Sequence, residues 1–358
     1  MTNNGKIVVA MSGGVDSSVA AALLKERGHE VIGVSLQLWN YNSETDSRFG
    51  TCCSLDDLAD ARRVADRIGI PFYILNMEKE FQTEVVDRFV AEYLQGRTPI
   101  PCTLCNQRLK FDHLLARTRA LGFDTVATGH YARIAVDSDG TRCVQRGLDI
   151  AKDQSYFLWG LSQEQLARLM FPLGELSKPE VRRLARELGL NVAEKDESQE
   201  ICFIPDNDYR NFIAQRTNGT GTQPGPIIDS AGQTLGTHSG YTGYTVGQRK
   251  GLNIGGLTEP YFVSRIDTAT NTVTAGPRQE LLCAEFIAER VNWRRKPDGP
   301  VRADVQIRHR HRAAPAEIRP LPGDAAEIRF IEPQSAVAPG QAAVFFQDDG
   351  ILGGGWIR

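Results

Sequence analysis

The first apolar run of the chain, Lys6-Ile7-Val8-Val9-Ala10-Met11, shows no polar alternation and predicts a strand buried on both faces. A turn of serines and glycines, Ser12 to Ser18, separates it from an alanine- and leucine-rich run that predicts a helix over 18–27, ended by Gly28. The alternation continues, with strands expected at 30–38, 71–76 and 124–128 and helices at 55–68, 80–95 and 108–121. Ser54 with Asp57 comes close to a capping box ahead of the second helix, and Gly69 closes it. Phe81, Val85, Phe89 and Tyr93 recur every four residues, an apolar stripe along the third. Ser177-Lys178-Pro179-Glu180 opens a further helix over 178–188. Strand–helix order of this kind predicts an α/β, Rossmann-like parallel sheet covered on both faces, with ligands at the carboxyl ends of its strands.

After about residue 217 the pattern changes. Gly, Thr and Pro become dense, and short alternating strands replace helices. Tyr261–Asp267 and Thr272–Ala275 read as a hairpin. From about 280 alternation dominates, at Val301–Arg308, Ala316–Arg319, Ala326–Ile331, Ala342–Phe346 and Ile351–Ile357, which suggests a small β-barrel or sandwich. The expected division is 1–205 for the catalytic domain, 206–275 for a small central domain and 276–358 for a C-terminal β-barrel. A length of 358 residues fits two or three domains.

Composition narrows the class. Hydrophobic content of 41% and charged content of 24% are those of a globular protein. No stretch nears 18 consecutive apolar residues and no signal peptide opens the chain, so a cytoplasmic protein without a membrane partner is expected. Seven cysteines, unevenly spaced, argue against a secreted disulfide framework and for catalytic or metal-binding thiols. The net charge of −3 does not advertise nucleic-acid binding, yet Arg290 to Arg319 carries nine Arg/Lys against three Asp/Glu. Such a stretch fits either a phosphate-backbone footprint or a solvated strand face.

The chemistry begins at Ser12-Gly13-Gly14-Val15-Asp16-Ser17-Ser18. A glycine-rich turn from strand to helix aims backbone N–H groups and the helix dipole at one point, which binds phosphate. No Lys follows the second Gly, so the loop is not the P-loop of G-x-x-x-x-G-K-[ST] NTPases. Further along, Cys102 and Cys105 form a C-x-x-C placed at the start of a helix, where the dipole favours thiolate. Cys202 lies in Ser198-Gln199-Glu200-Ile201-Cys202-Phe203-Ile204-Pro205, just before the change of composition. Cys52, Cys53, Cys143 and Cys283 read as buried small hydrophobes.

The SGGVDSS turn with its strand and helix resembles the PP-loop of the ATP pyrophosphatase superfamily. The chain as a whole closely resembles the bacterial and organellar tRNA-specific 2-thiouridylases. Besides the loop, the resemblance runs through Leu104-Cys105-Asn106, Lys110-Phe111, Ala127 to Tyr131, Gly147-Leu148-Asp149, Lys152 to Phe157, Ile201 to Ile204, Thr245 to Leu252, Pro339-Gly340-Gln341 and Leu352 to Gly355. It implies ATP-dependent 2-thiolation of the wobble uridine of tRNA. ATP would adenylate the uracil O2, pyrophosphate would leave into the loop, and sulfur would displace AMP. By motif match Cys105 is the catalytic nucleophile and Cys202 the persulfide carrier, ending as a Cys105–Cys202 disulfide. Ala10, Met11, Ser12, Gly13, Gly14, Val15, Asp16, Ser17, Leu36 and Gly129 map to ATP binding, with Mg2+ on the phosphates. Ile100, Pro101, Cys102, His130, Lys152, Asp153, Gln154, Arg308, His309 and Gln341 map to contacts with the tRNA anticodon stem-loop. A sulfur donor such as a cysteine desulfurase or sulfur-relay protein is the implied second partner.

One departure matters. Many family members have Asn-Pro-Asp or Asn-Pro-Cys where this chain has Ile100-Pro101-Cys102, which removes a side-chain amide that would meet the target base. Cys102 also makes, with Cys105 and Cys202, three thiols suited to a [4Fe-4S] cluster with one iron open for sulfide, the alternative to a persulfide. An amidating PP-loop ligase is the competing enzyme class, distinguished by having no need of Cys105 and Cys202. A non-catalytic RNA-binding protein is the other, distinguished by tRNA binding without pyrophosphate release.

Overall fold

The computed structural model describes residues 5–39, 54–120, 122–196, 201–204, 208–256 and 259–358. Cys52, Cys53, Ser198 to Glu200 and Pro205 lie outside them. The chain divides into two compact units: Met1–Val85 with Cys102–Asn207 and Asp349–Ile351, and Val86–Pro101 with Asp208–Asp348 and Leu352–Arg358.

The first unit is built on a parallel sheet in the order β3-β2-β1-β4-β7. Its strands are β1 (Lys6–Ala10), β2 (Glu30–Gln37), β3 (Phe72–Asn76), β4 (Thr125–Ala127) and β7 (Leu169–Met170). Ile7 and Val9 join a core with Val19, Ala20 and Leu24 of α1 (Val15–Glu26), Ala61 and Val64 of α2 (Leu55–Ile68), and Val181 and Ala185 of a helix over Lys178–Glu187. Val8 points to the opposite face and is equally buried, so both faces of the central strand are covered, as an unbroken apolar run requires. Helix α2 has its capping box, with Ser54 N donating to Asp57 Oδ2 at 2.9 Å and Asp57 N to Ser54 Oγ at 3.1 Å. Gly69 closes it in the left-handed region, at φ 68°.

Several elements differ from expectation. Helix α1 begins at Val15 rather than residue 18, because Gly14 serves as its N-cap and the serines fold into the first turn. The helix expected at 108–121 begins at Pro101, where a proline's missing N–H costs nothing, so Cys102 and Cys105 lie within it. Its middle, Cys105–His113, has π geometry, and so does Gln82–Val86 in the helix that carries the apolar stripe. A hairpin, β5 (Ala132–Val136) with β6 (Arg142–Arg146), was not anticipated.

In the second unit a four-stranded sheet has the order β10-β11-β8-β9. It is formed by β8 (Gly225–Ile228), β9 (Thr234–His238), β10 (Tyr261–Asp267) and β11 (Thr272–Pro277), with Ile227, Val263, Val273 and Ala275 as its core. The hairpin over 261–275 is present as predicted.

The last six strands close into a barrel: β12 (Leu282–Trp293), β13 (Val301–Gln306), β14 (Ala314–Leu321), β15 (Ala325–Ser335), β16 (Ala342–Gln347) and β17 (Gly350–Ile357). Strand β12 pairs with β15 and, after a register shift between Glu289 and Asn292, with β17; such a bulge bends a strand enough to close a barrel. Val305, Ile318, Ile328 and Phe345 alternate inward to fill it. Cys143 is buried, but Cys283 is only half-buried, because it sits at the second irregularity of β12, between Cys283 and Glu285, where the ladder opens. Among the described residues no helix is long and apolar enough to cross a membrane.

Candidate active site

The loop Ser12–Ser18 lies where β1 stops, at the carboxyl edge of the sheet. Its serines hold its shape. Ser12 N donates to Ser17 Oγ at 3.1 Å, and the Ser18 hydroxyl donates to the Gly14 carbonyl at 2.8 Å. Gly13 adopts φ 76°, and a Cβ there would collide with the Asp57 backbone, so only glycine fits between the loop and α2. A Cβ on Gly129, two residues past β4, would lie 2.6 Å from Ser17 N, so this glycine lets the end of β4 reach the first turn of α1. Ala10 and Met11 precede the loop, Val15 is buried within it, and Leu36 is buried near the end of β2.

Asp16, in that first turn, is clasped from two distant segments. Tyr131 Oη donates to its Oδ1 at 2.8 Å, and Lys178 Nζ reaches Oδ1 at 2.7 Å and Oδ2 at 2.8 Å. Lys178 is itself buried, and its backbone N–H donates to Asp149 Oδ2 at 2.9 Å. A second lysine, Lys195, donates to the Gly13 carbonyl at 3.1 Å and to Asp57 Oδ1 and Asp60 Oδ2 at 2.6 Å each. Burial pulls the Lys195 pKa down, but the hydrogen bonds and charges of Asp57 and Asp60 outweigh it, and the pKa is raised. Neither lysine stood out in the sequence. Each acts across more than 130 positions from its partners, and the capping signature at Ser177–Glu180 was the one local signal beside Lys178.

The cysteine segments are anchored at the same sheet edge, on either side of β1. Phe203, next to Cys202, packs on Trp39, just beyond β2, at 6.2 Å between ring centroids, and on Phe81, beyond β3, at 5.7 Å. Phe111, in the helix of Cys105, packs on His130, just beyond β4, at 6.2 Å. Asn106 Nδ2 ties that helix to the Phe157 carbonyl at 3.4 Å, and Lys110 Nζ donates to Asn106 Oδ1 at 2.9 Å. Cys102 is exposed, while Cys105 and Cys202 are half-buried. Among the described residues no three His, Cys, Asp or Glu side chains are grouped to hold a metal ion, and no step is derived through a cluster on Cys102, Cys105 and Cys202.

The remaining expected contacts fall into two groups. In the first unit, desolvation between Phe111 and Phe171, with the Lys110 ammonium adding to it, holds the His130 pKa well below the usual imidazole range. Its Nδ1 shares a hydrogen bond with Thr128 Oγ1 at 2.6 Å. Asp153 is buried, with Gly147 N, the Ser155 hydroxyl and Arg146 on its carboxylate. Gln154 Oε1 accepts from Tyr131 N at 3.1 Å. These two shape the loop that presents half-buried Lys152. In the second unit Arg308 and His309 are exposed after β13, while Gln341 Nε2 donates to the Thr98 carbonyl at 2.8 Å. Thr98 leads into buried Ile100 and Pro101.

Three families match in succession along the chain. They are described as the tRNA methyl transferase HUP domain over residues 5–206, the tRNA methyl transferase PRC-barrel domain over 210–277 and the aminomethyltransferase beta-barrel domain over 283–357. The tRNA-specific 2-thiouridylase MnmA of Geotalea uraniireducens is 54% identical over 100% of this chain and 97% of that protein. The enzyme of the same name from Geobacter metallireducens is 54% identical over 98% and 96%. That of Acidobacterium capsulatum is 49% identical over the full length of both. With a pyrophosphate-type loop at the sheet edge, two cysteine segments anchored there and relatives of this kind along its whole length, the chain belongs to the tRNA-specific 2-thiouridylase family.

Proposed function

We propose that the protein converts the wobble uridine of tRNA to 2-thiouridine in two steps at the edge of the parallel sheet. In the first, the uracil O2 attacks the α-phosphate of ATP, forming a C2–O–AMP bond and releasing pyrophosphate. The C2 carbonyl is amide-like and carries no leaving group; adenylation supplies one. In the second, the terminal sulfur of a persulfide on Cys202 attacks C2 and the AMP oxygen leaves. The Cys105 thiolate then attacks the Cys202 sulfur, releasing 2-thiouridine and leaving a Cys105–Cys202 disulfide. Electrons balance: the sulfane sulfur is reduced to the thione as the two cysteines are oxidised. A cysteine desulfurase or relay protein reloads Cys202, and a thiol reductant reopens the disulfide.

The observation that carries this reading is the loop itself, a glycine-dependent anion cradle with Asp16 at its first helical turn, placed at the edge where Phe203 and Phe111 anchor the two cysteine segments. Mg2+ bound with ATP would need few ligands from the protein, since phosphates and water serve such ions. Asp16 is the loop carboxylate suited to add one oxygen, and the ion would neutralise charge on the leaving pyrophosphate. Ala10 to Ser17, Leu36 and Gly129 form the ATP site. The tRNA contacts are Ile100 to Cys102, His130, Lys152 to Gln154, Arg308, His309 and Gln341. Residues 1–205 are the catalytic domain, 206–275 the central domain and 276–358 the tRNA-binding barrel. Abundant cysteine outside a disulfide framework fits work in a reducing cytoplasm.

The experiment is in vitro thiolation of tRNA with ATP and a sulfur source, read by mass spectrometry, beside pyrophosphate release. Cys202→Ser should still release pyrophosphate and yield no 2-thiouridine. Full thiolation by Cys105→Ser or Cys202→Ser would favour an amidating ligase and overturn the reading.

A further inference from the structure

The motif Thr245–Leu252 carries part of the family resemblance but has no role in the mechanism above. In the second unit it forms one wall of a cleft of about 670 Å3. The opposite wall is the barrel, with Arg308 and Gln341, and Thr98 also lines the space. Gly247 makes this apposition possible: it adopts φ 87°, and a Cβ there would lie 2.5 Å from the Ala336 Cβ of the barrel. Its N–H donates to the Val263 carbonyl at 2.8 Å, which fixes the turn that presents Arg249.

The lining is cationic. Arg249, Arg278 and Arg308 face the space, and no Asp or Glu lines it. Arg249 and Arg278 are exposed and have no hydrogen-bond or ion-pair partner among the described residues. Arg308 is steadied by one bond to the Ser335 carbonyl at 3.0 Å. Half-buried Phe262 supplies a flat apolar surface among the three. On a chain of net charge −3, three arginines around one cleft are a local concentration rather than a general surface property. Arginines without carboxylate partners beside an aromatic face suit a nucleic-acid strand: guanidinium forks for phosphate, a ring for a base or sugar.

We propose that this cleft holds the sugar–phosphate backbone of the tRNA anticodon arm beside the target uridine, with Arg249 and Arg278 as phosphate-binding residues. The inference rests on the reading that tRNA is the substrate. Its placement follows from Thr98, which lies in the cleft wall two residues before Ile100 and Pro101 and is tied to Gln341. A strand whose reactive base meets Ile100 and Pro101 therefore has its neighbouring phosphates at the cleft.

The test is the binding of transcribed tRNA to the full chain across a salt series, comparing wild type with Arg249→Gln/Arg278→Gln and Arg249→Lys/Arg278→Lys. Loss of two phosphate contacts predicts a salt slope shallower by about two and affinity lower by roughly 10- to 30-fold at physiological salt. The tRNA KM should rise with it, and the lysine pair should restore most of the slope. Wild-type affinity and slope in the glutamine pair overturn the proposal, and so does weakened binding with an unchanged slope. Failure of the wild type to bind tRNA instead overturns the reading beneath it.

Discussion

Asp16 shows how the site balances its charges. A carboxylate in a phosphate loop repels the anion it must host unless a cation or a hydrogen bond offsets it. Here Lys178 and Tyr131 do so. Lys178→Met should therefore cut ATP-dependent pyrophosphate release by roughly a hundredfold or more, a magnitude typical of losing one preorganised charge, with tRNA affinity little changed. Equal loss of both would mean that Lys178 merely supports the fold. His130 makes a prediction about pH. Its folded pKa lies below the unfolded value of about 6.5, so the unfolded chain takes the proton more readily. Its contribution to stability is complete above about pH 6.5 and is lost as pH falls toward the folded pKa. His238 and His311 are shifted the same way by burial. Urea midpoints should fall between pH 7.5 and 5.5, and His130→Gln should flatten part of that fall. An unchanged slope in the variant would place the titration elsewhere.

The glycine and serine positions that join strands to helices set the geometry of the loop. Gly129→Ala would push the end of β4 against Ser17 N, so ATP affinity should drop by at least about tenfold, the scale of one misplaced phosphate donor, while far-ultraviolet circular dichroism stays native. Ser54→Ala removes the cap of α2 and should cost about 1 kcal/mol of stability, read as a lower urea midpoint. These elements were largely readable in the sequence, because unbroken apolar runs and caps are local signals. The strand expected at 30–38 is Glu30–Gln37, and the helix expected at 55–68 is Leu55–Ile68. Other elements override local rules. Arg133, Arg142 and Arg146 masked the alternation of the hairpin β5–β6, although Asp137-Ser138-Asp139-Gly140 is a turn signal. The helix expected at 108–121 starts earlier, at Pro101, because a proline is well placed in a first helical turn.

Taken over the whole chain, the motifs disclosed the reaction better than they disclosed its support. Ser12–Ser18, Cys105 and Cys202, the residues proposed for adenylation and sulfur transfer, stand out in the sequence because that chemistry demands particular residue types. Lys178 and Lys195 do not, since their meaning depends on folding that brings them to Asp16, Asp57 and Gly13. The anchoring of Cys202 through Phe203 and Trp39 is likewise a tertiary fact with no local trace. In the proposed reaction these parts serve one step, adenylation of the uracil oxygen at the loop before sulfur arrives. The most direct measurement uses tRNA carrying 18O at C2 of the wobble uridine and follows the isotope during thiolation by mass spectrometry. Adenylation at the uracil oxygen predicts one 18O in AMP for each 2-thiouridine formed. Unlabelled AMP accompanying full thiolation would contradict it.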